Sequence, residues 1–174
     1  MKVRTRTLSV LLTQNTDTIS KLFNVITAGE YTHASIGIEE WENEFFSFAT
    51  KGGFRIERPI VNRKAKREHI SCALYRLDVP NEVYEDIKHR LQEFSDQKDQ
   101  YHFSFFGVFL CLMRIPHRFS NRYFCSQFVS ELITSTGAAH LSKQPSLYLP
   151  DDFKFEPQFR LCFQGTLSGL AEFL

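Results

Sequence analysis

Cys125 lies in the run Asn121-Arg122-Tyr123-Phe124-Cys125-Ser126-Gln127-Phe128-Val129. Phe128, Val129, Leu132 and Ile133 recur at helical spacing, which predicts an amphipathic helix over Phe124 to Ser135, closed by Gly137. A thiol at the start of such a helix meets unpaired backbone N–H groups and the positive end of the dipole. Both favour the thiolate, the form that attacks carbonyls. The apolar stripe would anchor the helix, and a nucleophile needs that rigidity. Cys72, Cys111 and Cys162 lack this setting and read as small buried hydrophobes.

A cysteine nucleophile needs a base, and the chain offers six histidines. His69 and His89 fall in charged segments, His102 and His117 flank an apolar helix, and His140 follows the glycine that ends the Cys125 helix. His33 differs. In Tyr31-Thr32-His33-Ala34-Ser35-Ile36-Gly37-Ile38 the period of a strand puts His33, Ser35 and Gly37 on one face, with Ala34, Ile36 and Ile38 on the other. If the strand turns back through Glu39 to Asn43 and pairs in even register, Ser47 shares the His33 face, and Phe46 and Phe48 point into the core. Ser47 could then orient the imidazole, though a hydroxyl stabilises an imidazolium poorly and a plain polar strand residue reads the same way. Glu39 lies six residues beyond His33, roughly 20 Å along an extended chain, and is discounted.

The elements that would position these residues follow from periodicity and turn chemistry. Leu8 to Thr13 is strand-like, and Asn15-Thr16-Asp17 caps a helix carrying Ile19, Leu22, Phe23 and Ile26, closed by Gly29. Tyr31 to Ile38 and Glu44 to Ala49 form a β-hairpin. Lys51-Gly52-Gly53 is a turn, Phe54 to Ile60 a strand interrupted by Pro59, and Ile70 to Val79 another strand. Val83, Ile87, Leu91 and Phe94 mark a surface helix ending near Ser95, Phe103 to Met113 a buried helix, and Arg160 to Thr166 a last strand. Pro145 to Pro157 is a loop with one helical turn. With no repeat and no linker, residues 1–174 read as a single α+β domain.

Composition narrows the function classes. The 174 residues are 43% hydrophobic, 24% charged and 14% aromatic, ordinary for a globular chain except for 18 Phe. A formal charge of +1 supplies no net field toward nucleic acid. Leu8 to Leu12 is too short for the apolar region of a secretory signal, and no apolar run approaches the roughly 20 residues of a membrane span. Reduced thiols in a cytoplasm are the expectation. No histidine pair occurs at metal-binding spacing, and neither a metal nor another cofactor is expected.

Leu11-Leu12-Thr13-Gln14, the following helix and the His33 strand, then Tyr123-Phe124-Cys125-Ser126-Gln127-Phe128-Val129 much later, resemble the circularly permuted papain-like enzymes of the NlpC-type superfamily. In that family the histidine comes first, on a strand of an antiparallel sheet, and the cysteine follows at a helix N-terminus. The group holds bacterial amidases and peptidases together with lecithin retinol acyltransferase and its phospholipase relatives. The resemblance covers about Leu8 to Ile133. It implies an antiparallel sheet or partial barrel packed against helices, and a bacterial cysteine hydrolase acting through a thioester. Cys125 would be the nucleophile, His33 the base and Ser47 the third member, where the family often has a more polar group.

The substrate implied is a peptide or cell-wall fragment; alternatives are an acyl lipid, as in the acyltransferase branch, or a catalytically silent binding module. The Cys125 N–H would supply one oxyanion donor, and Gln127 or Tyr31 a second, although Gln127 also reads as a surface side chain and Tyr31 as a core-edge residue. The basic run Arg63-Lys64-Ala65-Lys66-Arg67 reads as a solvated loop. Tyr101 to Phe109 reads as core packing before an acyl groove.

Overall fold

The computed structural model describes residues 4–14, 28–59 and 69–174. Most of the helix expected between Asp17 and Gly29, and the basic run Arg63 to Arg67, lie outside the described residues. Among the described residues eight strands appear: β1 (Thr5–Thr13), β2 (His33–Ile38), β3 (Phe45–Ala49), β4 (Gly53–Glu57), β5 (Ser71–Pro80), β6 (His102–Phe103), β7 (Arg122–Tyr123) and β8 (Arg160–Thr166). The α-helices of the same residues are α1 (Asn81–Asp96), α2 (Phe105–Leu112), α3 (Cys125–Ser135) and α4 (Leu167–Phe173). Six strands form one antiparallel sheet in the order β4-β3-β2-β1-β5-β8, an open sheet whose edges are β4 and β8.

The register follows from the alternation of apolar residues. Leu8, Val10 and Leu12 stand opposite Ile38, Ile36 and Ala34 on one side and Leu77, Tyr75 and Ala73 on the other, so one face of the sheet is continuously apolar. Tyr84, Ile87 and Leu91 of α1, with Phe128, Val129, Leu132 and Ile133 of α3, cover that face. The other face buries Leu11, Phe45, Cys72 and Leu74 beneath Leu167 and Leu170 of α4. This short helix was not expected from the sequence; Thr166 caps it by accepting from the Gly169 N–H.

Rings fill the space between the hairpin and the helices. Phe48 lies 5.1 Å from Phe128 and 5.7 Å from Phe54, and Phe94 lies 4.4 Å from Tyr101, between ring centroids. The β3–β4 turn is pressed so close to this layer that a Cβ on Gly53 would stand 2.3 Å from the Tyr101 carbonyl oxygen, and its φ is +61°. The two-residue strands β6 and β7 pair in parallel, with the His102 N–H donating to the Asn121 carbonyl and the Ser104 N–H to that of Tyr123. They tie the chain entering α3 to the chain entering α2.

Two expectations are corrected. The Phe103 to Met113 segment is not a buried helix: α2 turns Gly107, Val108 and Cys111 inward but leaves Phe105, Phe106, Phe109 and the following Met113 exposed, because its apolar residues occupy both faces and only one has a partner. Pro145 to Pro157 holds two 3-10 segments, Pro145–Leu147 and Pro150–Phe155. Among the described residues no helix is long and apolar enough to cross a membrane.

The aromatic layer generates a stability prediction. Phe48 is fully buried and touches five rings, from four other elements and the loop at Tyr101, so Phe48→Ala should lower unfolding free energy by about 3–5 kcal/mol in urea titration. A loss below about 1 kcal/mol would mean that the layer collapses around the void without cost.

Candidate active site

Phe124, extended at φ −105° and ψ 164°, delivers Cys125 as the first residue of α3. His33 is the first residue of β2, and α3 packs against β2 and β3. Both side chains are almost closed off, each residue being 6% exposed. The imidazole is hydrogen-bonded to the Cys125 sulfur, which also faces the backbone N–H groups of Ala34 and Ser126.

The far side of the imidazole meets Glu57. His33 Nε2 is 2.9 Å from Oε1 and 3.1 Å from Oε2, which leaves Nδ1 for the sulfur. Arg55 Nε in turn donates to Glu57 Oε1 at 2.8 Å. The site is a line of four groups, Arg55, Glu57, His33 and Cys125, running from half-exposed to buried.

The charges in this line support one another. Burial pulls the His33 pKa down, but the Glu57 carboxylate and the bonds to Cys125 and Glu57 push it up to about 10. Burial would likewise raise Glu57, yet the His33 charge and hydrogen bond, with Arg55, take it down to about 2. Burial raises the Cys125 thiol too, and the His33 hydrogen bond and charge with the two N–H groups outweigh it, so its pKa falls below the ordinary value. Cys72 and Cys111 have burial as their main influence and are pushed up to about 12.

The orienting group is therefore Glu57, not Ser47. The pairs Ile36 with Phe46 and Gly37 with Phe45 do place Ser47 on the His33 side of the sheet. Its hydroxyl is fully buried and donates to the Ala34 carbonyl at 2.6 Å, bracing the residue whose own N–H, in the preceding peptide, faces the sulfur. A buried hydroxyl takes the nearest backbone acceptor, and here that is one strand away. Glu57 could be placed on the correct face from the hairpin about Lys51-Gly52-Gly53, which sets Ser47 opposite Arg55 and Phe45 opposite Glu57. That register puts Glu57 level with Gly37, four residues along from His33. Only the coiling of the sheet closes the gap.

Tyr31 is engaged by other partners, and Gln127 is buried. Tyr31 receives Gln164 Nε2 at its hydroxyl at 3.3 Å, hydrogen-bonds Glu30, and its pKa is raised by burial and Glu30. Gln127 is 2% exposed rather than on the surface, and two residues along a helix its side chain diverges from that of Cys125. Among the described residues no group of three or more His, Cys, Asp or Glu could hold a metal ion.

The elements that carry His33 and Cys125 are both fastened to one short loop. Asp151 accepts the Glu30 and Tyr31 N–H groups at 2.7 and 2.9 Å, fixing the approach to His33. Three residues earlier, the Tyr148 carbonyl accepts from the hydroxyl of Ser126, the neighbour of Cys125, at 2.6 Å. The loop is itself locked by buried Glu156, which receives the Tyr148 hydroxyl at 2.7 Å and the Ser142 N–H at 2.9 Å. Sequence reading missed this support because Asp151 and Glu156 sit in a proline-rich stretch without periodicity.

The Glu57–His33 pair predicts a pH window. With His33 raised from 6.5 to about 10, its contribution to stability is complete below pH 6.5 and is lost as pH rises through about 10. With Glu57 lowered from 4.5 to about 2, its contribution is complete above pH 4.5 and is lost as pH falls toward about 2. The urea-midpoint difference between wild type and Glu57→Gln should therefore peak between about pH 4.5 and 6.5. A difference independent of pH would sink the pairing. Scans against protein-family models and against the curated proteins give no match to this chain.

Proposed function

We propose that the chain is a cysteine hydrolase of the permuted papain-like kind, acting on an amide in a peptide or cell-wall fragment through a thioester. The observation that carries this reading is the buried line in which a hydrogen-bonded His33 stands between the Cys125 thiol and the Glu57 carboxylate. A His33 raised to about 10 beside a thiol held below its usual range places the proton on the imidazole at neutral pH.

The steps follow from that protonation state. The Cys125 thiolate forms a bond to the carbonyl carbon, and the carbonyl electrons move to oxygen, to which the Cys125 N–H at the start of α3 would donate. Collapse of the intermediate breaks the C–N bond, and His33 gives its proton to the leaving amine. His33, now neutral, takes a proton from water as the water oxygen attacks the thioester, and the acid product leaves Cys125 free. Glu57 keeps the ring turned to the sulfur and stabilises the imidazolium at each stage.

A lipid ester is the second reading. It is favoured by the exposed aromatic residues of α2, whose Gly107 stands next to Phe124, the residue before Cys125.

The test is iodoacetamide alkylation followed by peptide mass spectrometry, with turnover of a chromogenic ester as a second readout. Cys125 should alkylate well below pH 8.5, ahead of Cys72 and Cys111, and His33→Ala or Glu57→Gln should slow it by about tenfold or more, while Ser47→Ala stays within about twofold. The ester should leave a covalent acyl group on Cys125, and Cys125→Ala should abolish it. A Cys125 no faster than the buried thiols would leave a silent binding module as the better account.

A further inference from the structure

The helix α2 is apolar on both sides, and only one is covered. Gly107, Val108 and Cys111 pack inward, whereas Phe105 is 57%, Phe106 60%, Phe109 53% and Met113 58% exposed. Positions 105, 106, 109 and 113 share one helical face, and Ile115 just beyond is 48% exposed. The rings form an ordered layer, with Phe106 stacked at 5.8 Å on Phe109 and 5.9 Å from Phe119 of the next loop. An apolar surface of this kind marks a contact site, and scattered surface hydrophobes do not explain it.

The sequence around it carries basic and no acidic residues. From Gln100 to Ser130 the sequence contains no Asp or Glu, yet it carries Arg114, Arg118 and Arg122 with His102 and His117. The basic side chains border the rings. His117 contacts Phe119 at 4.4 Å, Arg114 follows Met113, and exposed Arg122 pairs with His102 across β6 and β7. Arg118 is engaged by Glu131 at 2.7 Å, whereas Arg114 and Arg122 make no ion pair among the described residues.

We propose that this face is a membrane-docking surface that seats the protein on an anionic lipid bilayer, with the Phe and Met side chains in the acyl boundary and Arg114 and Arg122 among the headgroups. An eight-residue helix is far too short to span a bilayer, but it suits the shallow burial of about 5–10 Å of an interfacial helix. Unpaired cations beside an apolar face are the complement of a negatively charged interface. Docking of this kind uses neither His33 nor Cys125, so it stands or falls apart from the hydrolase reading.

Vesicle co-sedimentation tests it, using phosphatidylcholine alone and phosphatidylcholine with about a quarter phosphatidylglycerol. Wild type should bind the anionic vesicles, more weakly as salt rises, and Phe106→Ser with Phe109→Ser should lower binding about tenfold or more. Arg114→Ala with Arg122→Ala reads the same surface through charge and serves if the Phe pair does not fold, which circular dichroism reports. Failure to bind, equal binding to neutral and anionic vesicles, or indifference to both double variants would overturn the proposal. So would a dimer in size-exclusion chromatography that the Phe pair dissolves without vesicle binding, since the face would then join two copies of this chain.

Discussion

A buried imidazole and a half-buried carboxylate are each costly alone, because removal from water penalises the charged form. Placed 2.9 Å apart they relieve one another, and the raised pKa of His33 and the lowered pKa of Glu57 are two views of that relief. The arrangement constrains much else. It requires β2 and β4 to be separated by β3 and coiled enough for side chains offset along the strands to meet. It also requires a cover over the pair, which the start of α3 provides.

The support is distributed over segments remote in sequence. The β6–β7 pair sets the direction in which the chain enters α3, and the aromatic layer of Phe48, Phe54, Phe94, Tyr101 and Phe128 holds the hairpin against that helix. The loop from Tyr148 to Asp151 grips the neighbours of both Cys125 and His33 through a carbonyl and a carboxylate. Cys125 and His33, held by the same four residues, move together, which is what proton transfer over one hydrogen bond would demand. Ser47 belongs to this support, since it pins the Ala34 carbonyl beside the peptide N–H that faces the sulfur.

The resting charge distribution bears on chemistry. Cys72 and Cys111 are buried by apolar neighbours and stay protonated, whereas Cys125, buried to a similar degree, is held as a better thiolate by a cation and two N–H groups. Burial alone does not decide thiol reactivity; the polarity of what the sulfur touches does.

The sequence by itself determined the strand of His33, the helix start at Cys125, the hairpin partners of β2 and the helix α1, because each rests on local periodicity and turn residues. It put Ser47 on the His33 face on the condition of an even register, and the pairing of Ile36 with Phe46 supplies that register. Only the tertiary structure decided that Glu57 and not Ser47 reaches the ring, because accumulated sheet coiling is invisible to strand arithmetic. It alone decided that α2 is half uncovered, because an all-apolar helix reads the same whether one face or both find a partner. The same holds for Asp151 and Glu156, whose partners lie in other segments and leave no periodic trace.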